Sequence, residues 1–214
     1  MTEIRISRNP YDAKHPLYSR SLLTVNEGVT VLIGCNGSGK TTLIRQLADI
    51  LRRESPASTI VNIDANSETD RLMGGGLSQD TFIRSLTMRL ESEGSRRWYA
   101  VADRFGDIGE AVRDENLSDL WILIDGFDSG VDISGVNLMF DALDEQVLPE
   151  LHRRGIPLHV VMSATTYEPV RYAQTHDGTI IGIPTLRPIR FHGYEDWRDW
   201  TLNNAKQVEE RNAR

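Results

Sequence analysis

The sequence predicts an α/β fold with a mostly parallel central sheet flanked by helices, and three observations carry that expectation. Val29–Ile33 is a short β-branched apolar run that leads through a glycine-rich turn into a helical pattern. Leu120–Ile124 is continuously apolar and is closed by Asp125, as in a strand buried on both faces. Strand-like and helix-like runs then alternate along the chain, the order expected of βα units on a parallel sheet.

Taken in order, Ile4 and Ile6 alternate with polar residues and suggest a first strand. Residues 11–21, with Pro10 just before and Pro16 within, form a loop that leads to a second strand at Ser21–Val25. Asn26-Glu27-Gly28 turns the chain into Val29–Ile33. The helix that follows the glycine turn carries Leu43, Leu47, Ile50 and Leu51 on one face. Thr59–Asp64 alternates and is β-rich. Residues 65–77, with Gly74-Gly75-Gly76, read as a loop. Ser78 or Asp80 then caps a helix bearing Phe82, Ile83, Leu86 and Leu90. Glu91–Ser95 interrupts it, and Ser92 caps a second helix with Trp98, Ala102 and Phe105 on one face. A third short helix runs from about Asp107 to Val112.

After the Leu120–Asp125 strand, Ser134 is expected to cap a helix with Val136, Met139, Phe140, Leu143, Val147 and Leu151 inward. Pro149 should bend or break that helix. Leu158–Met162 and Thr179–Ile183 are further strands. Residues 194 to about 211 make a polar terminal helix in which Trp197 and Trp200 read as packing residues. The whole, 1–214, reads as one domain, with residues 78–117 as a helical subdomain.

The glycine turn reads Gly34-Cys35-Asn36-Gly37-Ser38-Gly39-Lys40-Thr41-Thr42, the G-x-x-x-x-G-K-T pattern of a phosphate-binding loop. Its strand and helix context is what the chemistry requires. Backbone amides of Gly34, Gly37, Ser38, Gly39 and Lys40 can converge on an anion, and the helix start adds its positive dipole end. Lys40 is expected to reach the β- and γ-phosphates of a nucleotide, and the Thr41 hydroxyl to ligate Mg²⁺. Asn36 and Thr42 complete the set. Such a loop needs a metal carboxylate on a neighbouring strand, and Asp125 fits that role. Tyr11 or Tyr18 could stack on a purine; the plainer reading packs either tyrosine against a sheet edge.

With 39% hydrophobic and 26% charged residues and a net charge of −7, the composition is that of a globular domain, with no basic stripe for coating nucleic acid. Direct DNA contact therefore has no support in the composition. Cys35 is the single cysteine, which excludes an internal disulfide, and the five histidines have no metal-ligand spacing. No apolar stretch suits a signal peptide or a membrane span, so the expected location is cytoplasmic.

The segment Asp125-Gly126-Phe127-Asp128-Ser129-Gly130-Val131-Asp132 resembles the ABC-type ATPase pattern. There the metal aspartate is followed, seven residues on, by the aspartate of a dimer-contact loop, here Asp132 beside Ser129. Glu91-Ser92-Glu93-Gly94-Ser95 is similar to a variant of that family's signature sequence, in which Ser92 and Gly94 would bind the γ-phosphate held by the partner subunit. Gln79 falls near the family's metal-contacting glutamine. The resemblance covers about residues 20–170. The short interval between Lys40 and Asp125 makes the chain similar to small stand-alone AAA-family ATPases of bacteria and phage, relatives of SMC and DNA-repair heads. It implies ATP and Mg²⁺ as ligands and a homodimer closed by ATP. ATP in place of GTP rests on the resemblance and on the lack of an Asn-Lys-x-Asp motif.

Two departures stand out. Gly126 occupies the position of the family's water-polarising glutamate, with Asp128 the nearest substitute. Ser163-Ala164-Thr165-Thr166 stands where the switch histidine would fall, and Ser163 or Thr165 could hydrogen-bond the γ-phosphate. The expectation is a slow ATPase, with Lys40, Asp125 and Asp128 as its catalytic set. The alternatives are a non-hydrolysing ATP-gated binding module, or a small-molecule or nucleotide kinase using the same loop without dimerising. The protein partner served is not legible.

Overall fold

The computed structural model describes residues 1–12, 14–64, 105–126, 128 and 133–212. Its centre is a six-stranded sheet. The strands are β3 (Gly28–Ile33), β4 (Thr59–Asp64), β5 (Leu120–Asp125), β6 (Leu158–Ala164), β7 (Thr179–Gly182) and β8 (Arg187–Ile189), in spatial order β4-β5-β6-β3-β7-β8. All neighbours are parallel except β8, which runs antiparallel to β7. β1 (Thr2–Arg5) and β2 (Leu22–Val25) pair antiparallel as a separate two-stranded sheet.

The continuous apolar strands arise because both faces of the large sheet are covered. Side chains alternate along each strand, so Val31, Ile33, Ile122, Ile124, Val160 and Met162 fall in one core. Leu32, Trp121, Leu123, Val161 and Ile181 fall in the other. The second core is closed by β1, β2 and α1 (Lys40–Glu54), whose Leu43, Ile44, Leu47 and Leu51 are buried. Each such side chain contributes roughly 1.5–3 kcal/mol on burial. Arg52 and Arg53 lie in the last turn of α1, where the helix dipole favours cations.

The first core is closed by the helical residues 105–113 (α2), then α3 (Ile133–Ala142), α4 (Leu148–Arg154) and α5 (Glu168–Thr175). α3 and α4 are joined by a π-helical turn at Leu143–Val147. Pro149 is its physical cause. It lacks an amide and its ring crowds the carbonyl four residues back, so the ladder widens to π spacing before α4 begins. The expected break at Pro149 is thus a bulge. The helix starts at Ile133, so Ser134 lies inside its first turn rather than at the cap. The chain closes with α6 (Tyr194–Asn212). Trp200 packs over Gly182, where an added Cβ would come within 2.9 Å of its ring, and lies edge-on to Phe191.

Asp125 was expected on a strand next to the phosphate-loop strand, but β6 lies between β5 and β3. The chain leaves β5, passes through α3 and α4, and returns to fill that slot. No helix among the described residues is long and apolar enough to cross a membrane.

Candidate functional site

The parallel strands β3, β5 and β6 end at the same edge, and a cavity of about 330 Å³ opens there. This is where open α/β sheets bind ligands. Asn36, Gly37, Ser38, Gly39, Lys40, Thr41 and Thr42 line one side; Asp125, Gly126, Ser163 and Thr165 line the other. Tyr11 and Leu17 complete the lining.

The loop side is built from tight backbone. Gly39 caps α1 in the left-handed region at φ 110°, with no side-chain cap and no acidic residue in the first turn. The first amides of α1 therefore lack side-chain partners, which leaves them available to an anion. At Gly34 an added Cβ would sit 2.6 Å from Ser38 Oγ and 3.1 Å from Ser38 Cβ, so a larger residue there would displace Ser38. Tyr18, fully buried under the loop, donates its hydroxyl to the Gly39 carbonyl at 2.7 Å. That role was not anticipated: Tyr18 is a floor for the loop, and burial pushes its phenol well above the ordinary range.

Lys40 is buried, and its Nζ donates to Gly34 O at 2.5 Å and Cys35 O at 3.1 Å. Burial pushes its ammonium below the ordinary lysine range, while the Asp128 and Asp125 carboxylates oppose that shift. The lysine is thus held beside the cavity by its own loop, with carboxylates as the surrounding countercharge.

The opposite wall depends on β6. Ser163 Oγ donates to Asp125 Oδ1 at 2.6 Å and accepts the Gly126 amide at 2.9 Å. The hydroxyl proton of Ser163 is therefore engaged with Asp125, across the strand pair that the interposed β6 creates. Asp125 is 3% exposed, and its Oδ2 has no hydrogen-bond partner among the described residues. Buried acceptors are normally paired, so this oxygen is suited to a ligand. With the Thr41 hydroxyl on the same cavity, it supplies hard oxygen donors of the kind Mg²⁺ takes when phosphates and water complete its shell. Among the described residues there is no cluster of three or more His, Cys, Asp or Glu able to cage a metal.

Asp128 does not line the cavity. It is buried behind it, and its Oδ2 accepts the Thr165 amide (2.6 Å), the Thr166 amide (2.7 Å) and the Thr166 hydroxyl (3.0 Å). It ties down the loop after β6 that carries Thr165. Tyr11 stands at the cavity and is 74% exposed. Gln79, Ser92, Gly94, Ser129 and Asp132 lie outside the described residues.

Asn204, on α6, accepts the Cys35 amide at 2.9 Å. The sequence held a signal for this residue. It falls in the same helical stripe as Trp197, Trp200 and Val208, and a polar side chain on an inward face needs partners.

A glycine loop joining a parallel strand to a helix, faced by a buried aspartate, defines the class: this is a P-loop nucleotide-binding domain. The model of the AAA domain family matches residues 23–168, more than half of the chain, and the chain belongs to that family. It is an AAA-type P-loop ATPase domain. No curated protein matches it. Among solved structures, an ATP-binding cassette of an ABC transporter in its ADP conformation is similar, at 16% identity over 94% of both chains with a TM-score of 0.49.

Proposed function

We propose that this chain is a slow, Mg²⁺-dependent ATPase that closes as an ATP-sandwiched homodimer of the ABC type. The observation that carries the nucleotide reading is the pairing of the Asn36–Thr42 loop with the partnerless Oδ2 of Asp125 across one cavity. In this reading the amides of Gly37 to Thr41 and the Lys40 ammonium hold the phosphates. Thr41 and Asp125 would hold Mg²⁺, and the bound ion would supply charge neutralisation at the phosphoryl oxygens. Ser163 keeps the Asp125 carboxylate aimed, and Asp128 anchors Thr165 and balances the charge of Lys40. Gly126 offers no side chain to polarise water. General-base assistance typically supplies about 10²–10⁴-fold, so turnover is slow.

The dimer rests on the resemblance of the Ser92–Gly94 and Ser129–Asp132 segments to the ABC signature and dimer-contact loop. Light scattering tests it. A monomer that becomes a dimer with Mg²⁺ and ATP, and not when Lys40→Ala is introduced, is the expected result. A chain that binds ATP yet stays monomeric excludes the sandwich. A second reading, an ATP-gated module without turnover, is favoured by Gly126, which offers no side chain to polarise water, with Asp128 Oδ2 already engaged by three donors. Dimerisation without detectable phosphate release would select it.

Tyr11 is the aromatic ring at the cavity and is proposed to stack on the base. Base stacking on an aromatic side chain is worth about 1–3 kcal/mol, and a largely exposed ring belongs at the low end. Tyr11→Ala is expected to weaken ATP binding about 5–10-fold while leaving tripolyphosphate binding unchanged, as read by calorimetric titration of both ligands. Equal losses for the two would move Tyr11 away from the base.

A further inference from the structure

We infer that the C-terminal helix α6 sets the conformation of the phosphate loop, with Asn204 and Arg211 as positioning residues for nucleotide binding. The inference rests on the nucleotide reading above. Asn204 is 4% exposed and makes two hydrogen bonds. Its Oδ1 accepts the Cys35 amide at 2.9 Å, and its Nδ2 donates to Ile183 O at 2.7 Å, at the end of β7. Further along the helix, Arg211 donates to Leu17 O at 3.1 Å and to Gly37 O at 3.4 Å. One helix thus holds the loop at two of its residues and also holds Leu17, which lines the cavity.

The Cys35 contact matters because of what the same residue does on its other side. The Cys35 carbonyl is an acceptor for Lys40 Nζ. Asn204 therefore fixes the amide entering Cys35 while Lys40 holds the carbonyl leaving it. The orientation of this stretch decides where Lys40 is held before a phosphate arrives. An intact Asn204 contact keeps the loop in one arrangement, so binding does not have to order it. By linkage, a nucleotide seated in the loop must favour the docked position of α6 to the same degree that α6 favours the nucleotide.

The test compares Asn204→Leu with Val208→Ala in the full chain. Leucine keeps the branching at Cγ, with bulkier methyl groups in place of the amide, and removes both hydrogen bonds. Val208 is buried one turn further along the same helix, 3% exposed, and its truncation to alanine lowers stability while the helix stays docked and the Asn204–Cys35 contact keeps all its atoms. Two quantities are read: the calorimetric Kd for Mg²⁺-ATP and hydrogen exchange of the Cys35 amide. The expected result is a Kd weakened roughly 3–10-fold in Asn204→Leu, the size of one lost hydrogen bond, with faster exchange at Cys35. Val208→Ala should lower the melting temperature and leave Kd unchanged. Equal weakening by both variants, or an Asn204→Leu chain that binds like the wild type, overturns the inference. If Asn204→Leu does not fold, Arg211→Ala carries the same test: a two- to fivefold weaker Kd supports it and an unchanged Kd overturns it. A wild type that binds no Mg²⁺-ATP defeats the nucleotide reading instead. Cys35 exchange without nucleotide then still reports whether Asn204 holds the loop.

Discussion

Replacing Lys40 with alanine is expected to reduce ATP turnover by about 10²–10³-fold, the range seen when one charge-stabilising donor is removed from a transition state. The size of the effect follows from where the ammonium sits. Lys40 is the first residue of α1 and is 8% exposed, with two loop carbonyls as its hydrogen-bond acceptors. Burial already lowers its proton affinity, with the Asp128 and Asp125 carboxylates acting the other way. An arriving phosphate brings further negative charge to that same desolvated ammonium, so the interaction strengthens as charge develops on the transferred group. Arginine should not rescue, because its planar fork is larger than an ammonium and cannot reproduce the same point contact. The unliganded fold should lose at most about 1–3 kcal/mol, the cost of leaving the Gly34 and Cys35 carbonyls without their donor. Phosphate-release assays and thermal melts on Lys40→Ala and Lys40→Arg check both halves. Turnover retained in either variant would mean that the phosphates lie elsewhere.

The residues of this site differ in how openly the sequence announces them. Lys40 and its glycines were legible because the phosphate loop is a local object: strand, turn and helix all lie within residues 28–54. Asp125 was legible because a carboxylate closing a run of apolar residues is anomalous unless it does something. The strand order was not legible. The apolar run says that Leu158–Met162 is a strand, yet nothing local says that it enters between β3 and β5. That placement is what gives Ser163 to Asp125, a contact between residues 38 apart. Likewise Asn204 reaches Cys35 across 169 residues. The short elements also escaped. α5 has eight residues, too few for a helical period to declare itself, and β8 has three, two of them exposed. From its place in a loop, Tyr18 suits a sheet edge or a base platform. Only the fold shows that it lies under Gly39.

Asp125→Asn should separate stability from function. The substitution keeps shape and removes charge. Asp125 is buried with one oxygen on Ser163 and the other without a partner. An unpaired buried carboxylate oxygen is costly, and a neutral amide in the same place is less so. The variant should therefore melt at or slightly above the wild-type temperature when no ligand is present. If Asp125 holds the metal, the same variant should lose the Mg²⁺ dependence of ATP binding, and turnover should fall about 10²–10³-fold, as for loss of a main electrostatic contributor. Ser163→Ala should show the opposite balance. It leaves both Asp125 Oδ1 and the Gly126 amide without a partner, which costs about 1–3 kcal/mol of stability. The carboxylate itself remains, so turnover should fall less than in Asp125→Asn. Thermal melts with and without Mg²⁺-ATP, beside phosphate release, give both orderings in one set of samples. A stable Asp125→Asn that still binds ATP in a Mg²⁺-dependent way would make Asp125 a structural partner of Ser163. A variant that is more stable and less active than its parent would instead be the mark of a carboxylate kept, at some cost to the fold, for the ion it holds.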